Sequence, residues 1–451
     1  MADDRAGIPL DRLASRLAGM LGREAVSTSG QALIVRPVDE DGIAAALTLL
    51  GDVGHDASDG GCLASHGGCL TIRGRGSKAW WDDLPAPSPI VLDTTGLRAG
   101  LRHDAGDLVA SVPTGLGWAE VQDQLGREGQ WIPLDPPLAE HASVGGVVGA
   151  ATSGPRRTAY GAVRDLVIGA RAVLPGGRVI QAGGRVIKNV AGYDLCKLLV
   201  GSFGSLAALT EVTFKVLPLP DCRGSVTAEF DDVEAAHGAA LAVLGSVLEP
   251  AAVQIVWCDG RPRVRVDVDG VERVVARQLR DLRELLVRRR ALEPDGGLEA
   301  PSPGTAPTSV GVQVEGPLPV SGHRDLLGAV EAAQVPSRSA VVRVGVPAAR
   351  LAGAWPAVNQ HLGPLDGRPL RADVAAGLMW WVLPNAELVA DAVAALDAAL
   401  RPLRGYATLE AGPAPALLRL ADHRAGSLTL SRRIKAIFDP RNLLCSPRLG
   451  A

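Results

Sequence analysis

Residues 141–154 read His-Ala-Ser-Val-Gly-Gly-Val-Val-Gly-Ala-Ala-Thr-Ser-Gly, almost entirely small side chains, and the basic Pro155-Arg156-Arg157 follows directly. Each glycine costs a helix about 1 kcal/mol relative to alanine, so this composition makes a poor helix by itself. Some other interaction must gain from the close approach that glycine allows. A flat ligand lying over the backbone would gain from it, and so would tight packing of a helix on a sheet.

A second glycine-rich segment, residues 73–78, reads Arg-Gly-Arg-Gly-Ser-Lys and directly follows the strand-like residues 69–72. In such a loop the backbone N–H groups can converge on an anion, and the arginine and lysine side chains add positive charge. The spacing of a P-loop, G-x-x-x-x-G-K-[ST], is absent. The loop indicates anion binding, with a purely structural turn as the alternative.

A third segment has three parts, which read KNVAGYDL (188–195), VGSFGSL (200–206) and LTEVT (209–213). Its G-x-x-G lacks both the spacing and the preceding strand of a Rossmann fingerprint, which disfavours NAD binding.

Composition limits the class of protein. The 451 residues predict two or three domains, and a hydrophobic content of 47 % is typical of a globular protein. The formal net charge of −3, without long basic runs, disfavours nucleic-acid binding. The six cysteines form no C-x-x-C and the histidines no metal-binding pair, so we expect no bound metal or internal iron–sulfur cluster. We also expect no signal peptide, no transmembrane segment and a cytoplasmic location.

Short apolar runs alternate with helical patterns over residues 30–220, with several consecutive strands rather than strict βαβ alternation, which predicts an α+β fold. The predicted strands are 32–37, 69–74, 89–94 and 108–113, and the predicted helices are 42–54 and 117–129. The middle region predicts a second domain, an antiparallel sheet with helices on one face. Its predicted strands are 264–270 and 340–347. Its predicted helices are 271–293, 323–334 and 387–400, and a further helix ends at Leu362. The most linker-like stretch is 294–309.

The three glycine-containing segments, in this order, resemble the flavin domain of the vanillyl-alcohol-oxidase/para-cresol-methylhydroxylase (PCMH-type) superfamily. Residues 73–77, 143–146, 153–169 and 188–218 are most similar to bacterial glycolate oxidases, and residues 153–157, 407–412 and 437–448 resemble their E subunits. The resemblance implies a PCMH-type FAD-binding domain of two α+β subdomains at 1–220. It further implies an α+β cap, or substrate-side, domain at 221–404 and a C-terminal segment, 405–451, that returns to the FAD domain.

The resemblance also implies roles for individual residues. The loop holding the FAD pyrophosphate would be Arg73, Gly74, Arg75, Gly76, Ser77 and Lys78. The second phosphate-binding and flavin-facing segment would contain Ser143, Gly145, Gly146, Ser153 and Gly154. Further cofactor neighbours would be Tyr160, Gly161, Asp165, Leu209, Thr210, Glu211 and Val212. For Lys188-Asn189 and Gly192-Tyr193-Asp194, domain support and cofactor contact stay equally open.

Three departures from the family pattern refine this expectation. Members that tether FAD covalently often carry a histidine in the first loop, where this chain has Gly76-Ser77-Lys78, so non-covalent FAD is expected. The family's Asn-Pro-Gly near the C-terminus is replaced by residues 445–448, Cys-Ser-Pro-Arg. The His-x-Gly-Asp-Gly-Asn-x-His run of the self-sufficient relatives is absent, and Asp259-Gly260 is interpreted as a hairpin turn.

The resemblance implies an FAD-binding oxidoreductase subunit that acts on a small 2-hydroxy acid. It implies two partners, a D-like flavin subunit and an iron–sulfur subunit. Through these partners the protein would lie in the cytoplasm or peripherally at the inner membrane. A carboxylate substrate favours an arginine, whose planar fork binds it bidentately, and Arg343 is the only candidate. A solvated arginine is the alternative at this position. A stand-alone dehydrogenase and a non-catalytic FAD-binding assembly subunit also remain open.

Overall fold

The chain divides into two units in the computed structural model. The first unit comprises Met1–Ser153, Ala162–Leu217 and Pro413–Ala451, and the second comprises Gly154–Gly161 and Pro218–Gly412. The residues that the structure describes are 10–30, 32–53, 70–77, 89–185, 194–258, 260–290, 312–319, 340–363, 368–384, 389–411 and 425–445.

Helices and strands are numbered here in chain order. The strands are β1 (Val26–Ser29), β2 (Ala32–Val35), β3 (Leu70–Arg73), β4 (Ile90–Asp93), β5 (Arg102–Asp104), β6 (Val109–Pro113), β7 (Gln130–Trp131), β8 (Val167–Val173), β9 (Val179–Gly183), β10 (Ala208–Lys215), β11 (Leu217–Pro218), β12 (Cys222–Glu229), β13 (Ala252–Cys258), β14 (Arg261–Gly270), β15 (Val312–Pro319), β16 (Ala340–Gly345), β17 (Arg368–Asp373), β18 (Leu378–Leu383) and β19 (Tyr406–Ala411). The α-helices are α1 (Leu10–Leu21), α2 (Glu40–Val53), α3 (Trp118–Gly126), α4 (Val144–Gly149), α5 (Arg157–Tyr160), α6 (Val163–Leu166), α7 (Leu195–Leu199), α8 (Val233–Leu244), α9 (Glu272–Arg290), α10 (Leu351–Leu362), α11 (Val389–Leu400) and α12 (Ala425–Phe438).

Among the described residues, the first unit contains two larger sheets, and the short strand β7 pairs with β11. One larger sheet has four strands in the order β1-β2-β4-β3, in which β4 runs parallel to both β2 and β3. The other has five strands in the order β5-β6-β10-β8-β9, and all of its pairings are antiparallel. The two sheets correspond to the two α+β subdomains expected from the sequence.

An aliphatic core supports the four-stranded sheet. It is formed by alternating residues of the strands, by the apolar faces of α1 and α2, and by two residues from the C-terminal segment, Leu443 and Leu444. Its fully buried members include Leu17, Leu33, Ile43, Leu47, Leu50, Leu70, Ile90 and Leu92. At about 25 cal/mol per Å² of apolar surface, such burial supplies the main stabilisation of this subdomain.

The second unit is built on one antiparallel sheet of eight strands. Their order is β15-β12-β14-β13-β17-β18-β16-β19. Strands β13 and β14 pair with Cys258 opposite Arg261, and Gly260 has φ +80°. Asp259, the other residue of the expected hairpin turn, lies outside the described residues. Helix α9 buries Val275, Leu279, Leu282 and Leu286, which recur every three or four residues as its predicted amphipathic pattern requires.

The predicted elements that fall on described residues are confirmed, with ends that differ by a few residues. The predicted linker 294–309 and the predicted helix 323–334 lie outside the described residues. The domain bounds of 1–220, 221–404 and 405–451 stay a prediction. Strand β19, which follows the second of these bounds, pairs with β16 in the sheet of the second unit.

Candidate functional site

The first glycine loop leaves strand β3 at Arg73 and runs to Ser77. A side chain at Gly74 would collide with the hydroxyl of Ser143, so only glycine lets the loop approach the second segment this closely. The Ser143 Oγ accepts a hydrogen bond from the backbone N–H of Arg75 at 3.5 Å. Gly76 has φ +72°, a left-handed conformation that favours glycine. The loop is therefore shaped by its glycines and joined to the second segment through Ser143.

The second glycine segment forms the short helix α4. Ser143 caps it by accepting a hydrogen bond from the backbone N–H of Gly146 at 3.2 Å. A Cβ at Gly145 would lie 3.0 Å from the Cβ of Thr114, so this glycine serves packing within the protein. A Cβ at Gly149 would have no protein atom within 4 Å. The sequence left two explanations open for these glycines, close packing within the protein and room for a ligand. Gly145 fits the first, because it packs on protein, and Gly149 fits the second, because it faces open space.

The third segment lies against the end of α4. The backbone N–H of Gly201 donates to the Val148 carbonyl at 3.0 Å, and that of Phe203 donates to the Gly149 carbonyl at 2.9 Å. These bonds satisfy carbonyl groups that the short helix leaves without internal partners. Phe203 has φ 54°, which is uncommon for a residue other than glycine. This strained turn places the third segment beside the first two.

Together the three segments enclose a cleft of about 120 Å³ within the first unit. It is lined by Ile72, Arg73, Gly74, Arg75, Gly76, Ser77, Thr94, Ser143, Gly145, Gly146, Gly149, Ala150, Phe203, Gly204, Ala207 and Leu209. Much of its wall is glycine backbone, and apolar side chains complete it. Such a wall suits a ligand that combines an anionic group with flat rings.

Several predicted residues line this cleft, namely Arg73, Gly74, Arg75, Gly76, Ser77, Ser143, Gly145, Gly146 and Leu209. Lys78 lies outside the described residues, as do Lys188-Asn189 and Gly192-Tyr193. Sequence reasoning did not name Ile72, Thr94, Gly149, Ala150, Phe203, Gly204 and Ala207 as site residues. Gly149 and Gly204 stood inside the glycine-rich segments, and that composition was the signal that could have identified them.

Arg75 lines the cleft and carries a positive charge, and a neighbouring carboxylate partly neutralises this charge. Its guanidinium lies 3.6 Å from the carboxylate of Glu120, which also pairs with Arg98 at 2.9 Å. A Cβ at Gly117 would lie 2.6 Å from the guanidinium carbon, so the absence of a side chain there makes room for Arg75. Because the pairs are partly exposed, their attraction is screened by water, and Arg75 keeps the capacity to attract an anion.

Other predicted residues have structural partners in the first unit. Ser153 Oγ accepts a hydrogen bond from the Val163 N–H at 3.2 Å, and the Asp165 carboxylate accepts one from the Ala162 N–H at 2.8 Å. Glu211 pairs with Arg102 at 2.8 Å, and Val212 is fully buried in β10. Contact of these four residues with a cofactor stays a prediction.

Thr210 supports the cleft through Glu40. Its hydroxyl donates to the Glu40 carboxylate at 2.6 Å, and Arg171 donates to the same carboxylate at 2.5 Å. Burial raises the pKa of Glu40, but the bonds from Arg171 and Thr210 and the charge of Arg171 outweigh it, so the pKa lies below its ordinary value. The ionised carboxylate thus joins helix α2 to strands β8 and β10, next to Leu209 of the cleft wall.

Gly154, Tyr160 and Gly161 belong to the second unit. The hydroxyl of Tyr160 donates to the Asp269 carboxylate at 3.1 Å, and Arg156 forms a buried ion pair with the same carboxylate. Burial raises the pKa of Tyr160, and the charge of Arg156 opposes this rise. The segment therefore anchors to β14, and its contact with a cofactor stays a prediction.

Arg343 lies half-buried on strand β16 of the second unit. It stands opposite Trp380 of β18, and Trp380 in turn stands opposite Arg371 of β17. Residues directly opposite one another share a face of the sheet, so the two arginines flank one tryptophan. The Arg371 guanidinium lies 4.5 Å from the Trp380 ring centroid and is buried, which sequence reasoning missed. A catalytic role for Arg343 stays a prediction.

A metal-binding cluster of side chains and a membrane-spanning helix are both absent from the residues that the structure describes. These residues contain no group of three or more His, Cys, Asp or Glu side chains arranged to hold a metal ion. Among these same residues, no helix combines the length and the apolar character needed to cross a membrane.

Comparison with known proteins supports FAD as the cofactor of this chain. Residues 61–183 match the family model of the FAD binding domain. Glycolate oxidase subunit GlcE of Escherichia coli (strain K12) is 40 % identical over 166 residues, which are 36 % of this chain and 47 % of the relative. The mitochondrial D-lactate dehydrogenase [cytochrome] of Arabidopsis thaliana is 33 % identical over 149 residues, which are 33 % of this chain and 26 % of the relative.

The solved structure of an alkyldihydroxyacetonephosphate synthase shares the fold, with a TM-score of 0.62, 15 % sequence identity, and coverage of 92 % of this chain and 77 % of that one. The expected fold class is confirmed, and so is the expectation that the chain carries an FAD-binding domain. The matched part of the chain spans 47 % of the length of the Escherichia coli relative and 26 % of the length of the Arabidopsis thaliana relative.

Proposed function

We propose that this chain binds FAD non-covalently in the cleft of the first unit and acts as a flavin subunit of a glycolate-oxidase-type complex. In that role it takes part in oxidising a small 2-hydroxy acid, glycolate or D-lactate, to the 2-oxo acid. The observation that carries the proposal is the cleft itself. Three separate segments present glycine backbone to one space, and two of them lie within the matched residues 61–183.

The residues present fit FAD. Gly74 and Gly204 let their loops pack closely on Ser143 and Ile72, whereas Gly149 leaves open space at the cleft, because a Cβ there would meet no protein atom within 4 Å. The backbone of residues 74–77, with Arg73 and Arg75 beside it, would hold the two negative charges of the diphosphate. Ile72, Phe203 and Leu209 would supply apolar contacts to the rings.

Non-covalent binding is supported by the composition of the cleft wall. A covalent flavin link needs a nucleophilic side chain such as histidine or cysteine beside the ring, and among the described residues that line the cleft none is of either type. We therefore expect the cofactor to be held by hydrogen bonds, charge and packing alone, and to leave the protein when the fold is lost.

Bound FAD would supply the redox chemistry, accepting a hydride equivalent from the carbon that bears the substrate hydroxyl. The protein's part is to bind and orient the substrate carboxylate. Arg343, half-buried on strand β16, is the candidate for this carboxylate, because the planar fork of a guanidinium group matches a carboxylate well.

Membership of a complex is the finer part of the proposal. It is supported by the 40 % identity to a protein named as a glycolate oxidase subunit. The chain also lacks the histidine run of its self-sufficient relatives and any C-x-x-C through which electrons could pass to an internal cluster. A D-like flavin subunit and an iron–sulfur subunit would complete the complex, placed in the cytoplasm or at the membrane surface through these partners.

A stand-alone FAD-dependent dehydrogenase is the second candidate. The match to a D-lactate dehydrogenase, 33 % identical over 149 residues, favours it. Identity of this kind in the FAD-binding domain does not by itself distinguish the two candidates, because both classes of enzyme hold the same cofactor there.

The cofactor claim is tested by purifying the chain and precipitating it with acid. We expect a yellow protein with close to one FAD per chain, all of it released intact into the supernatant. A colourless protein that takes up no added FAD would contradict the proposal, and flavin that stays in the pellet would refute non-covalent binding.

A further inference from the structure

A lysine is buried in the C-terminal helix α12. Lys435 is only 6 % exposed, although lysine is rarely buried without partners. Its ammonium group donates to the carbonyl oxygens of Ser205 at 2.9 Å and Leu444 at 2.8 Å, and forms an ion pair with Asp439. Burial lowers the pKa of Lys435, while the bond and charge of Asp439 oppose this. All three donor positions of the ammonium are thus used.

The carboxylate of Asp439 extends this network along the chain. It accepts hydrogen bonds from the backbone N–H groups of Leu443 at 2.9 Å and Leu444 at 2.8 Å. These bonds fold the segment after α12 into a turn directed at strand β3. Lys435 and Asp439 therefore hold residues 439–445, called the tail segment below, in one conformation.

The tail segment pairs with the strand that carries the first glycine loop. The Leu70 N–H donates to the Leu443 carbonyl at 3.2 Å, and the Cys445 N–H donates to the Leu70 carbonyl at 2.8 Å. Leu70 begins β3, whose last residues, Ile72 and Arg73, line the cleft. Docking of the tail segment thus fixes the base of one cleft wall.

The other carbonyl bound by Lys435 belongs to a second wall. Ser205 directly follows Phe203 and Gly204, which both line the cleft. Its N–H and its hydroxyl donate to the Ser202 carbonyl at 2.9 Å and 2.6 Å, so Ser205 closes the turn that holds those two residues. One ammonium group therefore joins the turn behind one wall to the tail segment behind another.

We propose that Lys435 is a positioning residue for the cofactor, because it ties the tail segment to two walls of the cleft. FAD binding and docking of the tail segment then stabilise each other. This inference rests on the proposed function, in that the cleft is taken as the FAD site. Coupling between two sites is reciprocal, so it predicts an effect of the lysine on FAD and an effect of FAD on the tail segment.

The first test measures the dissociation constant of FAD in Lys435→Met. We expect it to rise at least about tenfold, the size of an ordinary coupling effect. The matched control is Lys215→Met, since Lys215 is a partly exposed residue at the end of β10 and is not among the described residues that line the cleft. Its FAD affinity should equal that of the wild type. Equal affinity in Lys435→Met and the wild type would overturn the inference.

A double variant separates positioning from general stability. Lys435→Met alone leaves the buried Asp439 without its ion-pair partner, and the fold is expected to suffer. Lys435→Met/Asp439→Asn removes both charges, so its melting temperature should recover in part; the recovery is not complete, because the amide has one acceptor oxygen where the carboxylate accepts two backbone N–H groups. Its FAD affinity should stay weak because the bond to Ser205 is still missing. Recovery of FAD affinity together with melting temperature would show a merely structural role and would overturn the inference.

The reciprocal test uses the wild-type protein alone. Saturating FAD should slow hydrogen exchange at the amides of Leu444 and Cys445 at least about tenfold, and leave the surface turn amides of Glu128 and Gly129 unchanged. Unchanged exchange at Leu444 and Cys445 with FAD bound would overturn the inference and spare the proposed function. Failure of the wild type to bind FAD would overturn the proposed function, and the inference with it.

Discussion

Replacing Gly149 with valine is expected to weaken FAD binding at least about 100-fold, which is a loss of about 2.7 kcal/mol. Gly149 lines the cleft, and a Cβ there meets no protein atom within 4 Å. The valine side chain therefore points into the space assigned to the cofactor, and overpacking a filled site costs 1–3 kcal/mol or more. The measurement is a fluorescence titration of the apoprotein with FAD.

Gly126→Val is the matched control. Gly126 is the last residue of α3 as Gly149 is the last of α4, and a Cβ there also meets no protein atom within 4 Å. Valine is a slightly better helix former than glycine, so neither variant should lose its fold. Gly126→Val should bind FAD as the wild type does. Normal FAD affinity in Gly149→Val, with a normal melting temperature, would place the cofactor elsewhere.

The isolated, FAD-loaded chain is expected to leave its flavin oxidised when mixed anaerobically with millimolar glycolate or D-lactate. Turnover at the 1–10³ s⁻¹ typical of enzymes would bleach the flavin absorbance within about a second, so the difference between the two outcomes is large. Activity should appear only when a D-like flavin subunit and an iron–sulfur subunit are added. The measurement is stopped-flow absorbance of the flavin after mixing.

Bleaching within catalytic times would show that this chain holds a complete active site. The subunit proposal would then give way to the stand-alone dehydrogenase, and the test would move to Arg343→Met and Arg371→Met. These two variants should separate a substrate-binding arginine from a structural one, because loss of carboxylate binding raises KM for the acid without changing the spectrum of bound FAD.

Local composition indicated close backbone approach in the glycine-rich segments, and the family resemblance named the site residues. Gly74, Ser143 and Gly146 were placed in the site by that resemblance, and the structure brings them to one cleft. Phe203 was not named, because its place there depends on a hydrogen bond to Gly149, 54 positions earlier, and on a φ of 54°. Neither feature has a signature in the residue type.

Charged residues show the limit of sequence reasoning most clearly. Lys435 has the spacing of an ordinary helix surface residue, and its burial depends on Ser205, 230 positions away. Arg156 follows the glycine segment closely, yet its carboxylate partner is Asp269, 113 positions away. In β10, Thr210 and Glu211 contact different partners, Glu40 and Arg102, because successive side chains leave opposite faces of a strand. Long-range pairing decides such cases, and a single sequence does not record it.

The most direct test of the central claim, that FAD occupies the cleft of the first unit, is a crystal structure of the chain grown with FAD. We predict a diphosphate held against the backbone of residues 74–77, with the cofactor passing over the faces of Gly146 and Gly149. A cleft without density at saturating FAD, or a cofactor bound anywhere else on the chain, would contradict the account.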